Sequence, residues 1–532
     1  MPAVRWVTQG GPVPAALPPR PRDTLTSVLA RHAATTPERP ALVFEQAPGV
    51  VTTTSWGAWA ARVAATAGVL RARGVGHGDR VHVHLANTPF FHDVWFACAQ
   101  LGAVLHPTNP LAATDELRFL VGHSGAGVSI TSTDLAPALA SAVPAGHDVL
   151  DLDELTELTA TADPVTGPSP AAPTDPAALL YTSGTTSRPK GVIISHAAYL
   201  HCGDAVAGHL RVRPDDRMLV VLPLFHGNGQ YYSTMPALVT GASVALTPKF
   251  SASRFTEQAH LLGATTASLF AAPIRMLLAA QPSPHDAAHR LRVVIFAQSV
   301  NDAQLAEFER RFHVPAVQLY GMTETGPPVT MNPLHEDRRG SSMGRPLLGT
   351  RVRLVDTDGA DVAPGEPGEV VVAGTPGRTL MTAYHDDPDA TAAMLRPDPD
   401  GATTWLHTGD TATADEDGYL HFVDRRKDMI KRAGENVATG EVERVISEHP
   451  AVFEAAVVGI PDDMRDEAVH AAVVLHDGAR ATAEEIVEHC RERLATFKVP
   501  DSVDIVSDLP RTSVGKIQKH LIRTAKLSGG TP

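Results

Sequence analysis

Tyr181-Thr-Ser-Gly-Thr-Thr-Ser-Arg-Pro-Lys-Gly191 packs four hydroxyls within Thr182–Thr186, together with two glycines, an arginine and a lysine, into eleven residues. Apolar runs flank it, Pro176-Ala-Ala-Leu-Leu180 before and Val192-Ile-Ile-Ser195 after, and both read as short strands. A small polar loop between two strands can wrap an anion. Gly184 lets the backbone come close, hydroxyls and N–H groups donate, and Lys190 adds charge. That chemistry suits a polyphosphate. The spacing from Gly184 to Gly191, and a Gly rather than Ser or Thr after Lys190, differ from the P-loop of NTPases. Composition alone describes a Gly/Ser/Thr surface turn equally well, so the reading turns on what else the chain carries.

A chain of 532 residues exceeds one core and implies at least two domains. Its 43% hydrophobic and 20% charged residues are those of a soluble globular protein. A net charge of −14 without a long basic run argues against nucleic acid and against an anionic membrane surface. Cys98, Cys202 and Cys490 lie far apart, which predicts neither disulfides nor zinc and fits a reducing, cytoplasmic setting. The Pro-rich start carries no signal-peptide core, and no run is long enough for a membrane span.

Helices are predicted at Thr24–Arg31, Trp56–Arg73 and Pro89–Leu101, with a strand at Arg80–Leu85. Strand and helix then alternate to about residue 350, the habit of parallel α/β layers. Beyond Thr350, short strands between Asp-Gly and Pro-Gly turns predict an antiparallel β unit. From Asp428 a smaller α+β unit follows, with helices at Gly440–Glu448, Thr482–Ala495 and from Ile517, and strands at Glu454–Val458 and Ala468–Leu475.

Further strings carry chemistry. In Tyr320-Gly-Met-Thr-Glu324, Glu324 can hold a divalent cation and Thr323 can bond a phosphate oxygen, although an isolated Thr-Glu pair is more often a helix cap. Trp405-Leu-His-Thr-Gly-Asp410 offers an acid for ribose hydroxyls, or simply a turn. Asp424-Arg-Arg-Lys-Asp428 reads alone as a solvated charge run. In Leu509-Pro-Arg-Thr-Ser-Val-Gly-Lys516, Gly515 would allow a close approach and Lys516 offers a cation, although in isolation it reads as a surface lysine after a glycine.

Together these strings resemble the adenylate-forming superfamily of acyl-CoA synthetases, adenylation domains and luciferases, over nearly the whole chain from about Leu25 to Leu521. Its phosphate signature, Tyr-Thr-Ser-Gly-Thr-Thr-Gly-x-Pro-Lys-Gly, differs here only in Ser187, which stands where the signature has its middle Gly. The resemblance implies an α/β fold. A large domain, residues 1–424, would comprise two α/β subdomains and a distorted β-barrel; a hinge would span 425–427; a mobile α+β lid would span 428–532, with the active site between.

It also implies ATP and Mg²⁺ as cofactors, with CoA as the default acceptor. Thr182, Ser183, Gly184, Thr185, Thr186 and Lys190 would hold the phosphates, and Glu324 with Thr185 the metal. Tyr320, Gly321 and Met322 would lie along the nucleotide, with Asp410, Phe422 and Arg425 at adenine and ribose. Thr323, Glu324 and Lys516 form the catalytic set, with His226 in Leu222-Pro-Leu-Phe-His-Gly-Asn-Gly-Gln-Tyr-Tyr232 as a gate rather than a general base. Lys427 sits at the hinge, and Gly434 in Lys431-Arg-Ala-Gly434 would let pantetheine pass, with Lys431 or Arg432 meeting CoA phosphates.

Two departures bear on the substrate. Ala297-Gln-Ser-Val-Asn301 replaces the family's Gly-Ala-Ala-Pro-like segment, so Gln298 or Ser299 would bring a polar group to the pocket. No Asp follows Phe225-His226, which disfavours an α-amino acid. Several strings look closest to the betaine/carnitine-CoA ligase branch, including Gln230-Tyr-Tyr232 and Met429-Ile-Lys-Arg-Ala-Gly-Glu-Asn436. Other acceptors of the superfamily remain open: a carrier-protein pantetheine, or nitrite with an aryl amine. A homodimer is the superfamily's suggestion.

Overall fold

The strand at Pro176–Thr182 pairs antiparallel with Lys190–Ser195, so the hydroxyl-rich loop does connect two strands. The computed structural model describes residues 20, 22–182, 189–298, 300–335, 338–340, 342–398, 401, 403–425, 428–432, 435–462, 464–511 and 517–528. Its chain divides into two units: Gly10–Arg351 with Val372–Leu406, and Val352–Val371 with His407–Pro532.

The first unit is α/β, with two sheets. One has seven strands in the order Ala383–Tyr384, Lys190–Ser195, Pro176–Thr182, Val104–Pro107, Arg80–His84, Val128–Thr131 and Asp148–Asp151. The other has nine, with Ala316–Tyr320, Val293–Ala297, Thr266–Phe270, Arg217–Val220, Ser243–Leu246 and Pro40–Ala47 running parallel as its centre. Thr266–Phe270 is buried along its whole length, as a strand covered on both faces must be. The helix Pro89–Leu101 has its expected bounds because Pro89 sets the first turn and Gly102, at φ +71°, takes the left-handed turn that ends it. The three cysteines are buried and unpaired.

A run of buried rings ties these layers together. Trp59 packs on Phe96, Phe96 on Trp95, Trp95 on Tyr199 and Tyr199 on Tyr231, with centroids 4.6, 5.4, 5.2 and 5.4 Å apart. The run therefore passes from the helix Trp56–Ala72 through Pro89–Leu101 and His196–Leu210 to the π-helical turn Gln230–Thr234.

In the second unit the strand Thr404–Ala414 pairs antiparallel with Leu420–Arg425 from Asp410 onward. Beyond it, Val452–Asp462 and Asp466–Leu475 form a long hairpin, flanked by Ile430–Arg432 and Ser502–Ile505. Val442, Ile446, Val457, Val473 and Ile486 fill its core. The helix expected over Thr482–Ala495 runs only over Ala483–Arg491: the N–H groups of Arg493 and Leu494 both turn back to the Cys490 carbonyl, tightening the end. Asp424 Oδ2 accepts from the Thr439 N–H (2.5 Å) and hydroxyl (2.8 Å). Lys519 Nζ donates to the same hydroxyl at 2.6 Å and pairs with Glu443 at 2.8 Å. This network fastens the end of Leu420–Arg425 to the helix Thr439–Ser447.

Histidines are built into the seven-stranded sheet. His82 lies between the hydroxyls of Ser129 (2.9 Å) and Thr108 (2.8 Å), and His84 shares Thr108 at 2.9 Å. Burial holds His82 well below its ordinary range and pushes His84 and His106 down to about 4. These imidazoles fold neutral, while the unfolded chain takes up their protons below about pH 6.5. Their contribution is therefore complete above that pH and is lost as pH falls toward 4. We predict a melting temperature that is level above neutrality and falls steadily below about pH 6.5. His84→Gln should make that fall shallower; an unchanged slope would show that His84 protonates in the folded state without penalty.

Candidate active site

Thr182 and Lys190 face each other across the neck of the loop, at the last rung of the antiparallel pair. Ser183, Gly184, Thr185 and Thr186 lie outside the described residues. On the far edge of Lys190–Ser195 lies the short strand Ala383–Tyr384. Lys190 Nζ stands over the Tyr384 ring, 5.0 Å from its centroid. The Tyr384 hydroxyl donates to Glu324 Oε1 at 2.8 Å. The Met381 N–H donates to the Glu324 carbonyl at 2.9 Å. Lys190 and Glu324, separated by much of the chain, thus share one tyrosine.

Glu324 lies in a single 3-10 turn, Thr323–Thr325, directly after the strand that ends at Tyr320. Thr323 is no helix cap: Met322 occupies that position, and its N–H is taken by the Thr325 hydroxyl at 3.1 Å. Gly321 sits where space is tight. A Cβ there would stand 3.0 Å from Tyr232 Oη and 3.1 Å from Pro328 Cα. The Thr323 carbonyl accepts from Tyr231 Oη at 3.4 Å, which links the turn to the aromatic run. Glu324 is 5% exposed. A buried, oriented carboxylate is a hard oxygen donor, and Mg²⁺ commonly takes one or two carboxylates, completing its shell with water and phosphate oxygens. Among the described residues no group of three or more His, Cys, Asp or Glu could hold a metal alone.

His226 precedes the turn that carries Tyr231 and Tyr232. Its Nδ1 accepts from the Asn228 N–H at 3.2 Å, which leaves a neutral ring's proton on Nε2. Its edge packs on Phe270 at 5.5 Å and 84°. Behind it, Gln230 is fully buried, donating to the Leu224 carbonyl (2.7 Å) and accepting from Tyr199 (2.5 Å). Phe270 and Ala297 pair at the carboxyl ends of adjacent parallel strands, and Tyr320 ends the next strand. The carboxyl edge of a parallel sheet is where α/β proteins take ligands.

In the second unit Asp410 and Arg425 are cross-strand neighbours, with Arg425 Nε 3.1 Å from Asp410 Oδ1. Asp410 lies inside a strand rather than in a free turn. Gly409, at φ +70°, breaks the pleat before it, and its N–H donates to Glu369 at 3.1 Å. Phe422 is 39% exposed on the neighbouring strand. Lys431 and Arg432 differ in their surroundings. Arg432 is buried and bonded to Asp501 (2.5 Å) and the Phe497 and Val499 carbonyls, while Lys431 points outward from the same strand. Lys427, Gly434, Ser299 and Lys516 lie outside the described residues. Tyr384 had no signal in the sequence, because its partners are distant in the chain.

The family model "AMP-binding enzyme" matches residues 29–385, and "AMP-binding enzyme C-terminal domain" matches 441–516. The chain is 36% identical over 501 residues to a crotonobetaine/carnitine–CoA ligase of Salmonella agona, covering 91% of this chain and 96% of that one. Its fold is similar to ATP-bound MatB from Rhodopseudomonas palustris, with TM-score 0.85, 28% identity and coverage of 94% and 99%. It is also similar to the o-succinylbenzoate coenzyme A synthetase MenE of Bacillus subtilis in complex with AMP, with TM-score 0.81, 29% identity and coverage of 93% and 98%.

Gln298 stands at φ +72°, immediately after the strand Val293–Ala297, where a side chain is strained by about 1–2 kcal/mol. Glycine relieves that strain but adds about 0.5–1 kcal/mol of unfolded-state freedom. We predict that Gln298→Gly stabilises the chain by up to about 1 kcal/mol in urea titration, while Gln298→Ala gives no gain. Destabilisation by the glycine would show that contacts of the glutamine side chain outweigh the strain.

Proposed function

Because the chain belongs to the AMP-binding enzyme family, we propose that it is an AMP-forming acid–thiol ligase, activating a carboxylic acid with ATP and passing the acyl group to the thiol of CoA. The observation that carries this is the convergence of Lys190, Glu324 and Tyr384 at the neck of the hydroxyl-rich loop. Relatives named as CoA ligases support the acceptor.

A carboxylate oxygen of the acid attacks the α-phosphorus of ATP. The bond to the bridging oxygen breaks, pyrophosphate leaves, and the mixed anhydride R–CO–AMP remains. Thr182–Thr186 and Lys190 hold the phosphates, and Thr323 bonds the α-phosphate. Glu324 holds Mg²⁺, which when bound neutralises phosphate charge. Tyr320 lies along adenine with Gly321 and Met322, and Asp410 and Arg425 take the ribose hydroxyls beside Phe422. Lys516 bridges the carboxylate and the α-phosphate, two anions that otherwise repel. In the second step the thiolate attacks the acyl carbon and AMP leaves with the bonding pair. For this Lys516 withdraws as residues 428–532 turn about Lys427, and the Gly434 loop admits pantetheine. Lys431 meets the CoA phosphates, and His226 gates the thiol's approach. Small acids bearing a quaternary ammonium are the first substrates to try, from the crotonobetaine/carnitine–CoA ligases.

The two half-reactions separate these roles. Pyrophosphate exchange without CoA reads the first, and thioester formation from preformed adenylate reads the second. Lys516→Ala should slow exchange by about 100- to 1,000-fold while ATP binding survives. Equal loss of ATP binding would contradict its role. Lys427→Pro should slow thioester formation more than exchange; equal slowing of both would remove the hinge.

A further inference from the structure

The segment Met381–His385 is stitched on both sides. The N–H groups of Thr382 and His385 donate to Ile193 and Gly191 at 2.8 and 2.7 Å, on the strand that begins with Lys190. The Met381 N–H donates to the Glu324 carbonyl at 2.9 Å. The Tyr384 backbone N–H is taken by the Thr391 hydroxyl at 2.9 Å, a further tie on its main chain. Its side chain, 5% exposed, therefore enters the site at a fixed angle. One ring then performs two tasks. Its hydroxyl donates to Glu324 Oε1 at 2.8 Å, and its face lies 5.0 Å from Lys190 Nζ. The first contact selects a carboxylate rotamer, and the second selects the direction of a long, flexible ammonium.

We propose that Tyr384 is a positioning residue for the adenylation half-reaction, its hydroxyl setting Glu324 for the divalent cation and its ring setting Lys190 for the phosphates. This rests on the roles given to Glu324 and Lys190 above. The two contacts are separable by substitution. Tyr384→Phe keeps the ring and removes the donor, whereas Tyr384→Leu removes both.

The expected signature is a metal effect distinct from a folding effect. Tyr384→Phe should raise the Mg²⁺ concentration for half-maximal exchange by about 10- to 100-fold. At saturating Mg²⁺ its rate should return to within about threefold of the unmodified enzyme. Tyr384→Leu should in addition raise the KM for ATP by about 2- to 5-fold. An independent reading is the thermal shift of the full chain with ATP plus Mg²⁺ against ATP plus chelator, each relative to the same variant without ligand. The unmodified protein should gain an increment from Mg²⁺ that both Glu324→Gln and Tyr384→Phe lose, with the metal-free ATP shift retained in Tyr384→Phe. If Glu324→Gln loses the increment and Tyr384→Phe keeps it, Tyr384 does not position the carboxylate. If Glu324→Gln keeps it, or the unmodified protein has none, the role given to Glu324 fails and the proposal falls with it.

Discussion

Charge sets the problem this fold solves. An acid can be activated on ATP only if its carboxylate comes within bonding distance of a phosphorus surrounded by negative oxygens. A protein can meet that demand with donors and cations fixed before the substrates arrive, so that no reorganisation is needed when charge develops. In this chain the fixed part is the neck of the loop after Tyr181. Three antiparallel strands hold Thr182, Lys190 and Tyr384 in register, and Tyr384 joins them to Glu324. Glu324 is buried beside a donor hydroxyl, and a carboxylate held in this way suits the cation role proposed for it.

Buried packing elsewhere in the first unit backs the Thr323–Thr325 turn that carries Glu324. The run of rings from Trp59 to Tyr231 crosses three helices and ends at the Thr323 carbonyl. Rings of this size lock each other in place because interiors are close-packed and a shift in one displaces the next. Gly321 is a tight spot, where a Cβ would crowd Tyr232 Oη and Pro328 Cα. A larger residue there requires Tyr232 or the Pro328 backbone to yield by a few tenths of an ångström.

Much of this was legible in the sequence because the chemistry sits in short contiguous strings. The strands around the loop, the helices from Trp56 and Pro89, and the family followed from local pattern and from residues adjacent in the chain. What the sequence left out depends on distance or on alternation. Tyr384 meets Glu324 across 60 positions, and nothing in Leu380-Met-Thr-Ala-Tyr384 announces it. Lys431 and Arg432 are neighbours of equal charge, and only the alternation of the strand Ile430–Arg432 decides which is buried against Asp501. Thr323 beside Glu324 imitates a helix cap, yet the chain after Gly326 turns into a strand at Thr330–Met331 and no helix follows. Gln298 lies in the segment that departs from the family's Gly-Ala-Ala-Pro-like pattern, and its left-handed backbone, which no local pattern announces, became visible only in the structure.

The central claim is an acyl-adenylate followed by a thioester. It is tested most directly by incubating the protein with MgATP and a panel of carboxylic acids, quaternary-ammonium acids among them, with and without CoA, and reading products by mass spectrometry. The account predicts AMP, pyrophosphate and the mass of an acyl-CoA for at least one acid, with AMP accumulation dependent on both the acid and CoA. AMP formation indifferent to CoA, with no thioester mass for any acid, would contradict it and direct the search to a carrier-protein or nitrogen acceptor.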